Sequence, residues 1–423
     1  MPRAGALWRD REFLKLWSGQ TISQIGSRIT RDGLPYTALL MLHASPLQMG
    51  LLAALSGIAA LAAGPLAGVL ADRYRRRPTL ICADLGRAAV LSLIPLAALS
   101  HRLQMWQLYC VAALAGALTI IFDSAYQAYL PALVRPEQLL EGNRKLALSN
   151  STAEVLGPGM TGLLVKVMTG PIAILLDAAS FVVSAVSILA IRRQEPAIER
   201  MHHEPGWHEV TAGFRAIAAH PLLRPLGLRT VTAAFFAGFL ATLYMLFGIE
   251  YLGLGPAVLG ILITLGGVGN FFGAWMSKRI VERFPLGRVM IGSHVVVGLM
   301  WLLIPLAHRP WYVAAAFLGV AQLFGDMAYP LYDIHEVTLR QSVTPPEVLG
   351  RVNACMQMLF RGVVPIGSVV GGLLAQSFGV RFTLTLAALG ILASSLWLIF
   401  SPVRALRGHA HHAVAGVSKQ PCA

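Results

Sequence analysis

The chain is a succession of long apolar runs cut by short polar breaks. About twelve such runs fall near residues 13–42, 47–70, 79–99, 105–130, 146–168, 171–191, 224–250, 256–277, 289–307, 311–335, 352–376 and 380–401. A helix needs roughly 20 apolar residues to cross the hydrocarbon layer, and these runs reach or approach that length. Many of the connections are only a few residues long, as antiparallel neighbours in a helical bundle require. The pattern therefore predicts an all-α integral membrane protein with twelve transmembrane helices. The first run is too long for a removable signal and has no small-residue cleavage site, so it is expected to remain as the first span.

Composition sharpens this picture. The 423 residues are 56% hydrophobic and only 13% charged, against about 25% charged in soluble domains. A soluble core of this length with so little charge would expose large apolar patches. The formal net charge is +14, which in a soluble protein would point to nucleic acid. Its distribution says otherwise. With the N-terminus placed inside, about 26 of the 34 Lys and Arg fall in cytoplasmic segments, about four in outer loops and four (Arg28, Arg31, Arg87, Arg361) within helices. That asymmetry follows the positive-inside rule, and contact with anionic lipid headgroups accounts for the charge without a nucleic-acid partner. Both termini are thus expected in the cytoplasm.

The most informative polar break reads Gly68-Val69-Leu70-Ala71-Asp72-Arg73-Tyr74-Arg75-Arg76-Arg77. An acid and several arginines in a tight connection between two spans must sit at a water interface, and the arginines mark it as cytoplasmic. The spacing resembles the signature loop GxxxDRxGRR of the major facilitator superfamily. Gly68, Asp72, Arg73, Arg76 and Arg77 match it, and Arg75 stands where that family usually has glycine. The opening FLKLWSGQTISQIGSRITRDGLP, the segment FDSAYQAYLPALV and the stretch LRQSVTPPEVLGRVNA are similar to the bacterial drug-efflux branch, which holds the enterobactin exporter and macrolide-efflux proteins. The resemblance spans nearly the whole chain. It implies alternating access, with two six-helix halves rocking about a site near the midplane.

An internal repeat agrees. Pro136-Glu137 and Leu139 leading to Asn143 return as Pro346-Glu347 and Leu349 leading to Asn353, an offset of 210 residues (136 to 346, 143 to 353). Asp123-Ser124-Ala125-Tyr126 is echoed by Asp326-Met327-Ala328-Tyr329, and Gly162-Leu163-Leu164 by Gly372-Leu373-Leu374. Several matches in order suggest two pseudo-symmetric six-helix bundles. The expected organisation is a first bundle over 1–192, a linker over 193–222 with a short amphipathic helix from Trp207 to Ala219, a second bundle over 223–403, and a tail over 404–423.

Charges inside the membrane are costly, about 2.5–3.5 kcal/mol each at a helix centre on insertion scales, so they should face a partner or a water-filled cavity. Gln24, Arg28, Arg31 and Asp32 fall at three- and four-residue spacings on the first helix, which predicts one polar face turned into the bundle. Two readings are open: an Arg28–Asp32 ion pair that only neutralises itself, or a cavity wall that binds substrate or protons. Arg361 on the eleventh helix joins Gln24, Arg28 and Arg31 as a cavity candidate. Asp32 and then Glu154 are the candidate proton-coupling carboxylates. Glu154 precedes Gly157-Pro158-Gly159 and Gly162, a run that resembles part of the family's helix 5 antiporter motif. The family's signature loop implies a conformational latch, with Asp72 against a helix that starts here at Gly350-Arg351, so that Arg351 supplies the cation. The repeat-related Asp123 and Asp326 suggest helix capping or a paired gate. Asp84 and Arg87, three apart, predict an internal salt bridge, and Phe235, Phe236, Phe239, Tyr244 and Phe247 are candidate pocket aromatics.

Other chemistry finds little support. The histidines at 202, 203 and 208 and at 409, 411 and 412 lie in segments without fixed geometry, so no metal site is expected. No G-x-x-x-x-G-K-[ST] loop is present, which argues against ATP hydrolysis as the energy source. No cofactor is expected and no enzymatic acid–base set stands out. The reading is a monomeric secondary active transporter of the bacterial inner membrane, exporting a drug, siderophore or other amphiphile in exchange for protons. A lipid or lysolipid flippase of the same fold and a transporter-like scaffold or sensor remain alternatives.

Overall fold

The computed structural model describes residues 6–193, 195 and 207–406. Among them every regular element is helical. The long helices of the first part are α1 (Arg11–Leu42), α2 (Pro46–Arg73), α3 (Arg76–Leu99), α4 (Met105–Leu133), α5 (Leu139–Met168) and α6 (Gly170–Leu189). A shorter α7 (Trp207–Ala219) follows, then α8 (Leu223–Leu246), which runs on through a π-helical turn, Phe247–Tyr251. The last five are α9 (Pro256–Arg283), α10 (Leu286–Trp301), α11 (Trp311–Val343), α12 (Pro346–Phe378) and α13 (Val380–Ser394).

Ten of these helices are long and apolar enough to cross a membrane. The two further long ones, α1 and α5, have the length but carry the charges that the sequence placed on them. Several helices outrun the apolar segments read from the sequence. α5 begins at Leu139, α11 extends to Val343 and α12 starts at Pro346. A 33-residue helix such as α11 is about 50 Å long, well beyond the roughly 30 Å hydrocarbon layer. The extra turns are amphipathic and leave the apolar pattern while keeping the helical one.

The faces of these helices are inverted relative to a soluble protein. On α6 the exposed side carries Ile172, Leu175, Val182, Val186 and Leu189, while the buried side carries Asp177, Ser180 and Ser184 beside Ile174 and Phe181. Water would reverse that choice; hydrocarbon explains it.

The chain divides into two compact units, residues 1–202 with 255–264 and residues 203–254 with 265–423. In the first, α1 packs on α5 and α6, α3 on α4 and α6, and α2 on α4. One apolar core joins Phe13, Leu16, Leu80, Phe122, Tyr129 and Ile188. In the second unit α8 packs on α12 and α13, and α10 on α11 and α13. The α8–α12 approach is backbone-close, because a side chain on Gly367 would strike the Phe235 backbone and one on Gly238 the Val364 carbonyl. α7 closes one end of this unit. Its Ile217 joins a core with Leu226, Met290, Leu339, Val352 and Met356, and Gly213 lies against Cys355 and the Arg351 backbone. The aromatics of α8 are packing groups: Phe235, Phe236 and Phe239 meet edge-to-face or tilted with centroids 5.2–5.4 Å apart, and Phe236 covers Gly390.

Candidate functional site

The basic loop is short because α2 runs to Arg73 and α3 starts at Arg76. Its arginines serve the ends of neighbouring helices. Glu195 accepts hydrogen bonds from the backbone N–H of Arg76 (3.0 Å) and Arg77 (3.4 Å), so a carboxylate from beyond α6 caps the N-terminus of α3. The Arg77 guanidinium donates to the carbonyls of Ile188 (3.2 Å) and Leu189 (2.6 Å) in the last turn of α6, where the Ile188 carbonyl also accepts from the Ile191 N–H. Nearby, Lys15 donates to the Ala190 carbonyl (2.7 Å), Glu12 accepts from the Arg192 N–H (2.6 Å), and Arg193 reaches Asp10 (3.1 Å) and the Leu133 carbonyl. The Lys15 ammonium beside Glu12 holds that carboxyl below its ordinary range. No sequence signal marked Glu195, which sits in a stretch read as linker. Gly68 borders open space. The Asp72 side chain, and with it the expected latch to Arg351, lies outside the described residues, as do the histidines at 202, 203, 409, 411 and 412 and the side chain of His208.

A cavity of about 260 Å³ opens in the first unit, with Gln24, Arg28, Arg31, Arg87, Asp123 and Asn150 among its walls. The expected polar face of α1 is present at Gln24, Arg28 and Arg31. Asp32 departs from it. One residue past Arg31, it turns inward to 7% exposure and does not line the cavity. Its Oδ1 lies 3.6 Å from Nε of its neighbour Arg31, and its Oδ2 has no hydrogen-bond partner. The Arg28–Asp32 pair of the sequence reading is therefore replaced. Arg28 instead lies 3.3 Å from Glu154 and 3.4 Å from Asn150 Oδ1, both on α5.

The glycine run of α5 makes that contact possible. A methyl on Gly157 would sit 2.6 Å from Arg28 Cβ, so only glycine lets α1 come this near. A methyl on Gly162 would strike the Pro256 carbonyl and sit 3.1 Å from Gly260 Cα, within the stretch of α9 that belongs to the same unit. Pro158 accompanies it, and the Gly159 N–H donates to Thr264 Oγ1 at 3.1 Å.

In the cavity wall Arg87 pairs with Asp84, as the spacing predicted, and its guanidinium is held between the rings of Phe122 (4.3 Å) and Phe181 (4.0 Å). Asp177 on α6 accepts from Ser180 at 3.0 Å. Asp123 and Asp326 stand in mid-helix on α4 and α11, so neither caps a helix end. Asp123 edges the cavity, whereas Asp326 lies against Gly266 of α9.

The second unit holds a larger cavity, about 530 Å³, with Arg361 on its wall. The other charged members were missed. Arg229 of α8 lies 2.8 Å from His294 Nδ1 and 3.8 Å above the Tyr332 ring. His294 contacts Ser394 Oγ at 2.6 Å. Glu336 pairs with Arg340 at 3.3 Å, one turn apart on α11. Arg229 was counted with the water-facing ends, and Glu336 and Arg340 fell beyond the apolar run that ended at 335. Their spacing of four was the signal that would have found them. Trp301, Tyr329, Tyr332 and Phe360 supply aromatic wall in place of the α8 phenylalanines.

Membrane-length helices with apolar outer faces and charged cavities inside define a multi-pass membrane transporter rather than an enzyme. The chain belongs to the transmembrane secretion effector family of the major facilitator transporters, whose family model matches residues 4–422. It is similar to macrolide efflux protein A of Streptococcus pyogenes, 24% identical over 88% of this chain and 91% of that one. It is also similar to the enterobactin exporter EntS of Shigella flexneri, 26% identical over 88% and 86%. Among solved structures, a bacterial homologue of the iron transporter ferroportin in an inward-facing state superposes with a TM-score of 0.75 at 18% identity, over 92% of this chain and 98% of that one.

Proposed function

We propose that this protein is a secondary active exporter of the bacterial inner membrane that moves an amphiphilic small molecule, such as a drug or siderophore, outward in exchange for protons. The observation that carries the reading is a charged cavity inside each unit, built from helices whose outer faces suit only lipid. Charges are retained at membrane depth where they meet a cargo or an ion. The efflux proteins among the relatives support the direction of transport.

In this reading α1–α6 and α8–α13 are twelve spans in two six-helix bundles, with α7 in the linker between them, both termini cytoplasmic, and the chain monomeric. Asp32 and Glu154 are the carboxylates to test first as proton carriers, and Asp72 with Arg351 as the latch. Asp72→Asn should slow transport and leave substrate binding intact; normal transport would reduce the loop to a topology signal. The direct test of the whole proposal uses everted membrane vesicles acidified inside. They should accumulate a fluorescent amphiphile, and a protonophore should abolish the accumulation. Accumulation that ignores the protonophore removes proton coupling, and none above a transporter-free control across a panel of amphiphiles removes export.

One observation favours a second reading, a lipid or lysolipid flippase. A largely apolar groove of about 520 Å³ runs between α2, α3 and α4 past Leu70, Cys82, Leu118 and Ile121, with Tyr74 and Arg75 at one end. Such a groove suits an acyl chain entering sideways beneath a cationic edge. Fluorescent lysolipid crossing reconstituted bilayers faster than in protein-free controls would favour it.

A further inference from the structure

The cavity of the second unit has a charge inventory that does not close. Three guanidinium groups, Arg229, Arg340 and Arg361, face two carboxylates, Asp333 and Glu336. His294 adds no charge. A guanidinium only donates, so the ring nitrogen 2.8 Å from Arg229 must be an unprotonated acceptor, and the imidazole is neutral. One positive charge is left over. Its place can be identified, because Arg340 is held by Glu336 and Arg229 by His294 and the Tyr332 ring. Arg361, on the facing wall of α12, makes no ion pair among the described residues.

A second observation is independent of the charge count. Tyr332, only 2% exposed, lines the cavity, and its buried hydroxyl has no hydrogen-bond partner. The Trp301 indole N–H is likewise without an acceptor. Indole N–H only donates and a phenol readily does, so what these two groups lack is an acceptor. A buried polar group left unpaired is costly, and an incoming ligand relieves that cost. The walls also set the shape of the ligand. Trp301, Tyr329 and Phe360 offer ring faces and edges for a flat apolar body, and the volume accommodates a drug-sized molecule.

We propose that the second-unit cavity binds an aromatic monoanion, its negative group held by Arg361 and the Tyr332 hydroxyl and its ring by Trp301 and Phe360. This names the cargo class of the exporter proposed above and rests on that reading for its role in transport, though not for binding.

The test is equilibrium binding to the full-length protein in lipid nanodiscs, with 1-naphthoate as probe. Two comparison compounds separate the terms: (1-naphthyl)methylammonium keeps the ring and reverses the charge, and cyclohexanecarboxylate keeps the charge and removes the aromatic ring. Naphthoate should bind at least tenfold more tightly than either. Arg361→Gln should weaken it tenfold or more, Arg361→Lys should recover part of that loss, and Tyr332→Phe should weaken it several-fold. Lys278→Gln removes a cation whose side chain is 87% exposed and should change nothing. Each variant is first checked for a single size-exclusion peak and a cooperative melt. Equal binding of the naphthyl anion and cation, or undiminished naphthoate binding in Arg361→Gln, overturns the assignment. The two proposals fail separately. Naphthoate binding with no flux of any amphiphile of the panel in proteoliposomes would leave this site standing and end the export reading. Uphill export of a cationic dye without naphthoate binding would do the reverse.

Discussion

Replacing Glu195 probes the contact that holds the basic loop at the start of α3. The carboxylate is 7% exposed at its side chain and accepts two backbone N–H groups at the start of α3, with Arg76 Nε 3.8 Å away. Loss of an N-terminal cap costs about 1 kcal/mol. Loss of a negative charge at the positive helix end adds about 0.3–1 kcal/mol, and the long Arg76 contact adds only a few tenths of a kcal/mol. Glu195→Ala should therefore destabilise the first unit by about 2 kcal/mol, and Glu195→Gln, which keeps an acceptor but not the charge, by about 1 kcal/mol. For a unit of about two hundred residues these correspond to falls in melting temperature of about 4–8 °C and 2–4 °C. The assay is a thermal melt of purified protein in detergent at fixed pH and salt. A Glu195→Ala melt within one degree of wild type would falsify the cap. If Gln were as damaging as Ala, the charge rather than the hydrogen-bond acceptor would carry the effect.

Gly157→Leu should push α1 away from α5, because even a methyl there meets Arg28 Cβ at 2.6 Å; a loss of about 1–3 kcal/mol is expected, together with loss of the Arg28–Glu154 coupling in a double-mutant cycle. His220, between α7 and α8, accepts from the N–H groups of Leu222 (3.2 Å) and Leu223 (3.4 Å) through Nδ1, and burial pushes its pKa down. A lowered folded pKa means that the unfolded chain binds the extra proton first, so this group's contribution is full above pH about 6.5 and is lost as pH falls below it. The melting temperature of wild type should drop more steeply from pH 7 to 5 than that of His220→Asn, and parallel slopes would sink the idea. Asp32→Asn should abolish gradient-driven transport while substrate binding persists; a variant with wild-type uphill transport transfers the coupling role to Glu154.

What the sequence made legible follows from which forces act locally. Apolar period and length located the long helices to within a turn or two, since a hydrocarbon layer imposes one length on every span. The ends were harder. Leu139, Val343 and Pro346 extend helices into amphipathic turns where apolar content falls while the backbone pattern continues. Partners three or four residues apart on one helix were also readable, as with Asp84 and Arg87. Partners fixed by the approach of two helices were not. Arg28 chose Glu154, 126 residues away along the chain, over Asp32 on its own helix (28 to 154), because Gly157 lets the arginine stem lie flat on α5.

The same distinction explains why the richer cavity escaped notice. Counting arginines by loop assigns each to a side of the membrane, and that count treats a charge near a helix end as solvated. Arg229 shows where the assumption fails. Six residues into α8, it lies over Tyr332 of α11 and against His294 of α10. A single residue of this kind leaves the overall asymmetry intact, so the topology signal conceals it. The cost of burying a guanidinium at that depth has to be met by specific groups from other helices. Two other helices, α10 and α11, converge on Arg229 for that reason, and the convergence is visible only once the helices are packed. In a membrane protein, then, charges that break the loop bookkeeping without altering its total are the ones to examine for function, and Arg229 and Arg340 are that pair in the second unit, beside the Arg361 that the count already placed within a helix.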